Sequence, residues 1–110
     1  MAENALLVLS TFGTADEARR ISRTLVEERL VACANLIPQV ESIYRWKGEV
    51  ETSAEIMVVF KTTTDRYDQV EDRIRELHPY EVPEIISIRL DAGLPAYLTW
   101  IDQSCLPAMP

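Results

Sequence analysis

Val40-Glu41-Ser42-Ile43-Tyr44-Arg45-Trp46-Lys47-Gly48-Glu49-Val50-Glu51-Thr52-Ser53-Ala54-Glu55-Ile56-Met57-Val58-Val59-Phe60 is the stretch that decides the fold. It reads as one long β-hairpin. Val40, Tyr44 and Trp46 share one side of the outgoing strand, with Ser42 between them. Lys47-Gly48 supplies the turn, because glycine tolerates positive φ. On the return strand Val50, Ala54, Ile56, Val58 and Phe60 share a face. Glu49, Glu51, Ser53, Glu55 and Lys61 take the other, broken by Met57 and Val59. Each arm runs about a dozen residues, or roughly 40 Å at ~3.3 Å per residue, whereas typical strands have about five or six. Two helices cannot cover such a ribbon, and its distal end carries Tyr44 and Trp46, which are costly to leave in water. A partner subunit is the economical explanation.

The flanking elements complete a pattern. Ala5 to Ser10 reads as a short buried strand, bounded by Thr11-Phe12-Gly13. Thr14-Ala15-Asp16-Glu17 is a capping box that opens a helix to about Glu28–Leu30, with Ala18, Ile21 and Leu25 on one face and Val26 beside it. After the hairpin, Thr64 or Asp65 caps a second helix whose apolar stripe is Tyr67, Val70, Ile74 and Leu77. Glu84 to Leu90 is the last long strand, and Ala96 to Ser104 a short helix beyond the breaks at Gly93 and Pro95. The tail from Leu106 to Pro110 is expected to fray. The order β-α-β-β-α-β plus a C-terminal helix is the ferredoxin-like split βαβ arrangement, an α+β fold with an antiparallel sheet and both main helices on one face. The 110 residues make a single domain with an ordered core of about 5–104.

Composition narrows the partners. The net charge is −7 and no basic cluster interrupts it, so nucleic acid and anionic membranes are excluded as partners. The apolar run Ala5 to Leu9 is too short for a signal peptide or a membrane span, which predicts a cytoplasmic protein. Cys33 and Cys105 form no secreted-type disulfide framework and should stay thiols in a reducing compartment.

The stretch His78-Pro79-Tyr80-Glu81-Val82-Pro83-Glu84-Ile85-Ile86 holds the only histidine, two prolines, a phenol and two carboxylates. Proline fixes φ and restricts the residue before it, so the second helix ends near His78 and the chain leaves extended. Residue chemistry alone reads this segment as a stiff helix-to-strand connector. Rigid loops with polar heads are also where sites lie. Cys33 is a small hydrophobe at a strand start or a soft metal ligand. With His78 and Glu81 it could serve copper or another divalent cation, and the three need not come from one subunit. One cysteine and one histidine do not make a closed site, and there is no CxxC or HxxxH. Tyr44, Trp46, Tyr80, Tyr97 and Trp100 suit subunit packing, or a cleft between subunits with Lys61, His78 and Glu81 as polar heads. No nucleophile motif, phosphate loop or paired-acid signal is present, so no enzyme is expected.

Several linked segments together resemble the CutA family of divalent-cation tolerance proteins. They are Ala32-Cys33-Ala34-Asn35-Leu36-Ile37-Pro38, Ser42 to Glu51, Lys61-Thr62, His78 to Ile85, and Tyr97-Leu98-Thr99-Trp100, within a match from about Leu6 to Ser104. The resemblance implies a ferredoxin-like fold in a tight homotrimer, binding of divalent metals with copper among them, and no firm enzymatic activity. It also implies architectural kinship with PII signalling proteins, which bind small effectors between subunits. Two functions follow as expectations: a homotrimeric metal-binding protein of divalent-cation tolerance, or a PII-like sensor with a small-molecule effector in the inter-subunit cleft.

Overall fold

The computed structural model describes residues 4–107. In chain order the elements are β1 (Ala5–Phe12), α1 (Ala15–Glu27), β2 (Cys33–Trp46), β3 (Glu49–Thr63), α2 (Tyr67–Leu77), β4 (Ile86–Arg89) and α3 (Pro95–Ser104). The four strands form one antiparallel sheet in the order β2-β3-β1-β4, the ferredoxin-like arrangement expected from the sequence. The tail expected to fray reaches beyond Pro107, outside the described residues.

The hairpin closes where the sequence placed it. Lys47 and Gly48 have φ of 50° and 84°, and Trp46 pairs with Glu49 across them. Two consecutive left-handed residues give the turn whose twist matches the flanking strands. A β-bulge lies between Ile37 and Val40, where Gln39 has a φ of 61°. The extra residue switches the parity of β2 but leaves β3 continuous. Cys33, Asn35 and Ile37 therefore face the same way as Val40, Ser42, Tyr44 and Trp46. Cross-strand pairing sets Tyr44 opposite Glu51 and Trp46 opposite Glu49. The aromatic side of β2 and the carboxylate side of β3 are one face.

The core lies under the other face. Val8, Phe12, Val58 and Phe60 of the sheet meet Ala18, Ile21 and Leu25 of α1 and Val70 and Ile74 of α2, all fully buried. Full burial of side chains this large is worth roughly 1.5–3 kcal/mol each. The Thr14 hydroxyl accepts from the Glu17 N–H at 3.1 Å, capping α1. The helix ends at Glu27 in a Schellman-type motif. Arg29 stands in the left-handed region (φ 61°), and the Leu30 and Arg29 N–H groups donate to the carbonyls of Leu25 and Val26. A smaller cluster of Ala5, Ala32, Leu98, Ile101 and Cys105 seats α3.

Several boundaries differ from the sequence reading. β1 runs two residues further, through Thr11 and Phe12. The second helix has Arg66 at its N-cap with no side-chain cap bond, so neither Thr64 nor Asp65 serves. Arg66 instead donates to the Cys105 carbonyl at 2.7 Å, tying the start of α2 to the end of α3. The last strand is four residues long, not seven. Pro83 offers no N–H. Continuing the β1–β4 register would set Glu84 opposite Thr11, and the Thr11 carbonyl is already taken by the His78 ring.

Candidate functional site

The sheet face turned away from α1 and α2 is assembled from three cross-strand rows. Cys33, Lys61, Leu7 and Ile88 form one row; Asn35, Val59, Leu9 and Ile86 the next; Ile37, Met57 and Thr11 the third. This face is largely apolar yet open. Ile37, Ile86 and Ile88 are 47 %, 51 % and 48 % exposed, and Leu7, Leu9, Met57 and Val59 are half-buried. Two polar constellations lie at its ends.

The first is built on the His78–Glu81 loop. His78 is extended (φ −78°, ψ 133°), as a residue before proline should be, and it caps α2. Its ring is buried, stacked on Phe12 with centroids 4.5 Å apart. The Tyr80 N–H donates to Nδ1 at 3.1 Å, so that nitrogen is unprotonated. Nε2 must then carry the proton that it donates to the Thr11 carbonyl at 2.7 Å. Both ring nitrogens are thus engaged, and the ring pins the loop to the end of β1. The Tyr80 hydroxyl donates to Glu55 Oε2 at 2.6 Å. Burial, and secondly the hydrogen bond to Glu55, push the Tyr80 phenol well above its ordinary pKa, so it remains a donor. Gly13 makes room for it: a Cβ there would sit 3.3 Å from the Tyr80 oxygen. Tyr44 Oη lies 3.4 Å from Ser53 Oγ on the same strand face. At the tip, Lys47 Nζ lies 3.9 Å from the Glu81 carboxylate and 5.6 Å from the Trp46 ring centroid.

The second constellation lies where α3 meets the sheet. Lys61 Nζ donates to the Tyr97 hydroxyl at 2.9 Å, and Tyr97 packs on Trp100 with centroids 5.3 Å apart. The Tyr97 hydrogen bond raises the Lys61 pKa, opposed by partial burial and aided by Cys33 nearby. Cys33 is half-buried, pairs across the sheet with Lys61, and has its Sγ 3.8 Å from Asn35 Oδ1. Cys105 is buried beside Thr62, and burial raises its thiol pKa. Both cysteines are free.

The sequence-predicted site residues therefore divide. Lys61, Tyr97 and Trp100 come together; Tyr80 reaches the hairpin at Glu55, Tyr44 reaches Ser53, and Trp46 stands at the tip. Cys33, His78 and Glu81 are not gathered within one chain. Cys33 belongs to the Lys61 end, Glu81 is exposed and faces Lys47, and His78 has no free lone pair. Among the described residues no three His, Cys, Asp or Glu side chains are placed to hold a metal ion. Glu55 shares its strand face with Glu49 and Glu51, as the alternation predicts, but unlike them it is only 7 % exposed. Its partner, the Tyr80 hydroxyl, comes from 25 residues away, so no local pattern marks it.

The geometry agrees with what comparison reveals. Residues 6–104 match the family model of the CutA1 divalent ion tolerance protein. The chain belongs to that family. It is 43 % identical over 98 residues to the divalent-cation tolerance protein CutA of Thermus thermophilus, covering 89 % of this chain and 95 % of that one. The crystal structure of CutA from Xylella fastidiosa superposes with a TM-score of 0.90 at 41 % identity, covering 93 % of this chain and 98 % of that one. Vertebrate relatives are longer: over 86 residues the mouse protein CutA is 44 % identical, but the match spans 78 % of this chain and only 49 % of that one. A solved relative from Archaeoglobus fulgidus, 31 % identical over 93 % of this chain and 99 % of that one with a TM-score of 0.90, is described as periplasmic. Among the described residues no helix is long and apolar enough to cross a membrane.

Proposed function

We propose that this chain works as a homotrimer that binds divalent metal, copper first, in divalent-cation tolerance. The observation that carries the assembly is the open apolar sheet face, continued by a hairpin whose Tyr44 and Trp46 are about 40 % exposed. A closed ring of three copies covers that face and the free edges of β2 and β4. Family membership supports the cation. Of the three expected ligands, Cys33 stands best, as a half-buried thiol on the open face, and Glu81 is exposed. His78 serves through Nδ1 only if it gives up the Tyr80 N–H, with Nε2–H still bonded to Thr11, and it stands apart from Cys33, so the ligand set draws on neighbouring subunits. A cytoplasmic location is part of this reading, supported by the two free thiols.

Sedimentation equilibrium at micromolar concentration tests the assembly; a stable folded monomer would refute it. Copper calorimetry on the wild type, Cys33→Ser and His78→Ala tests the site. Loss of affinity in Cys33→Ser is expected. Equal affinity in all three proteins would eliminate these ligands.

The second reading is a PII-like sensor holding a small molecule between subunits. The Lys61–Tyr97–Trp100 cluster favours it, since an ammonium and two aromatic rings line an open face there. A metabolite response without a copper response would select it.

A further inference from the structure

Glu55 is the one carboxylate in the described chain that is more than nine-tenths buried. Among the described residues its single side-chain hydrogen bond is the one from Tyr80. A carboxylate offers about four lone-pair positions, and no lysine or arginine among the described residues lies within salt-bridge distance of this one. Lys47, at the hairpin tip, is turned to Glu81 instead. Its second oxygen has no partner among the described residues and is not enclosed, so it is open to a donor from outside the subunit. The side chain stands on the face left open by α1 and α2, held by Tyr80, and Tyr44 reaches Ser53 two residues along the same strand face; the two tyrosines are 37 % and 42 % exposed. A carboxylate flanked by aromatic rings is the recognition chemistry of a cationic nitrogen.

We propose that Glu55, oriented by Tyr80 and flanked by Tyr44, is the acceptor for an ammonium or guanidinium group that enters from outside the subunit. The chemistry is the same whether the group is a free amine or a lysine or arginine of a second copy. A metal ion fits less well, because the Tyr80 phenol keeps its proton and, among the described residues, no second carboxylate joins Glu55. The inference deepens the subunit-cleft reading and rests on it only for the partner-side source.

Glu55→Gln is the informative variant. The amide oxygen still accepts from Tyr80, and only the charge is lost. If a second copy supplies the cation, the dissociation constant of the oligomer rises at least about tenfold in Glu55→Gln, by sedimentation equilibrium. If the cation is free, butylammonium or methylguanidinium shifts the Tyr80 and Glu55 amide resonances of the wild type. That response disappears in Glu55→Gln, and butanol does not reproduce it. A Glu55 that merely accepts the Tyr80 bond predicts another pattern: Glu55→Gln behaves as wild type in both assays while Tyr80→Phe is destabilised. That pattern overturns the proposal, as does an equal response to butanol. A wild type that sediments as a monomer refutes the trimer alone; the amine titration then decides Glu55.

Discussion

The two faces of this sheet have nearly the same apolar character and opposite fates. On one, Val8, Phe12, Val58 and Phe60 are fully buried by α1 and α2. On the other, Leu9, Val59, Ile86 and Ile37 sit half-buried or exposed. The helices explain the first. Nothing within the described residues explains the second, and its polar residues differ in kind as well. The covered face buries mostly apolar side chains, with Ser10 and Thr62 among them. The open face carries Glu55, Lys61 and three tyrosines, each with specific bonding demands. Packing within the subunit thus accounts for its stability, while the proposed assembly and ligand chemistry fall on the face that the subunit leaves open.

The strongest test of that contrast is Phe60→Ala. The side chain is fully buried between sheet and helices, and its removal should cost about 3–5 kcal/mol of subunit stability. Denaturant unfolding checks it. A loss under about 1 kcal/mol would mean that the covered face is not the true core.

Trp46→Ala probes the other side. Its ring is 39 % exposed in the single chain, so the subunit core should hardly notice its loss. Assembly should weaken by about 2 kcal/mol per interface, the scale of a truncated interface tryptophan. Sedimentation across a concentration series reads this directly. An unchanged trimer with an unchanged melting point would remove Trp46 as an anchor.

His78→Ala lies where the two faces meet. The substitution leaves the Thr11 carbonyl and the Tyr80 N–H without their partners and removes the ring stacked on Phe12. A cost of roughly 1–3 kcal/mol follows from unsatisfied buried groups, with faster amide exchange at Tyr80, Glu81, Val82 and Glu84. Unaltered exchange would show that the prolines alone hold the loop.

Much of this was legible in the sequence, for local reasons. The hairpin turn is encoded by Lys47-Gly48, the α1 start by Thr14 and Glu17, and the α2 end by the proline after His78. Each is a short-range signal. What was not legible depends on parity and on distant partners. Gln39 gives little sign that it will take a positive φ and shift β2 by one residue. Glu55 shares its face with the exposed Glu49 and Glu51 and differs from them through its bond from Tyr80, 25 residues away. The length of β4 failed for a similar reason, because the group occupying Thr11 comes from 67 residues away. The metal site was read from residue types. The fold then used His78 for its hydrogen-bonding geometry, which composition does not record.

The smallest expected effect lies away from both faces, in the helix layer. Arg73 donates to both carboxylate oxygens of Glu28, at 2.9 and 2.7 Å, joining the end of α1 to α2. These hydrogen bonds, more than the simple charge attraction, hold the Glu28 carboxyl below its ordinary pKa. In the unfolded chain that group takes up its proton at a higher pH than in the folded one. The pair's contribution is therefore present above the ordinary carboxylate pKa and is lost as pH falls through the depressed folded value. Both side chains are about a third exposed, so water and salt screen the pair and the effect is slight. Between about pH 6 and pH 3 the wild type should lose slightly more stability than Glu28→Gln, whose amide has no proton to take up. The two unfolding curves should converge at the acid end and separate near neutrality, with the gap narrowing in high salt. Parallel curves across the whole range would show that the bridge between the helices contributes nothing, and that the covered face is held by its apolar contacts alone.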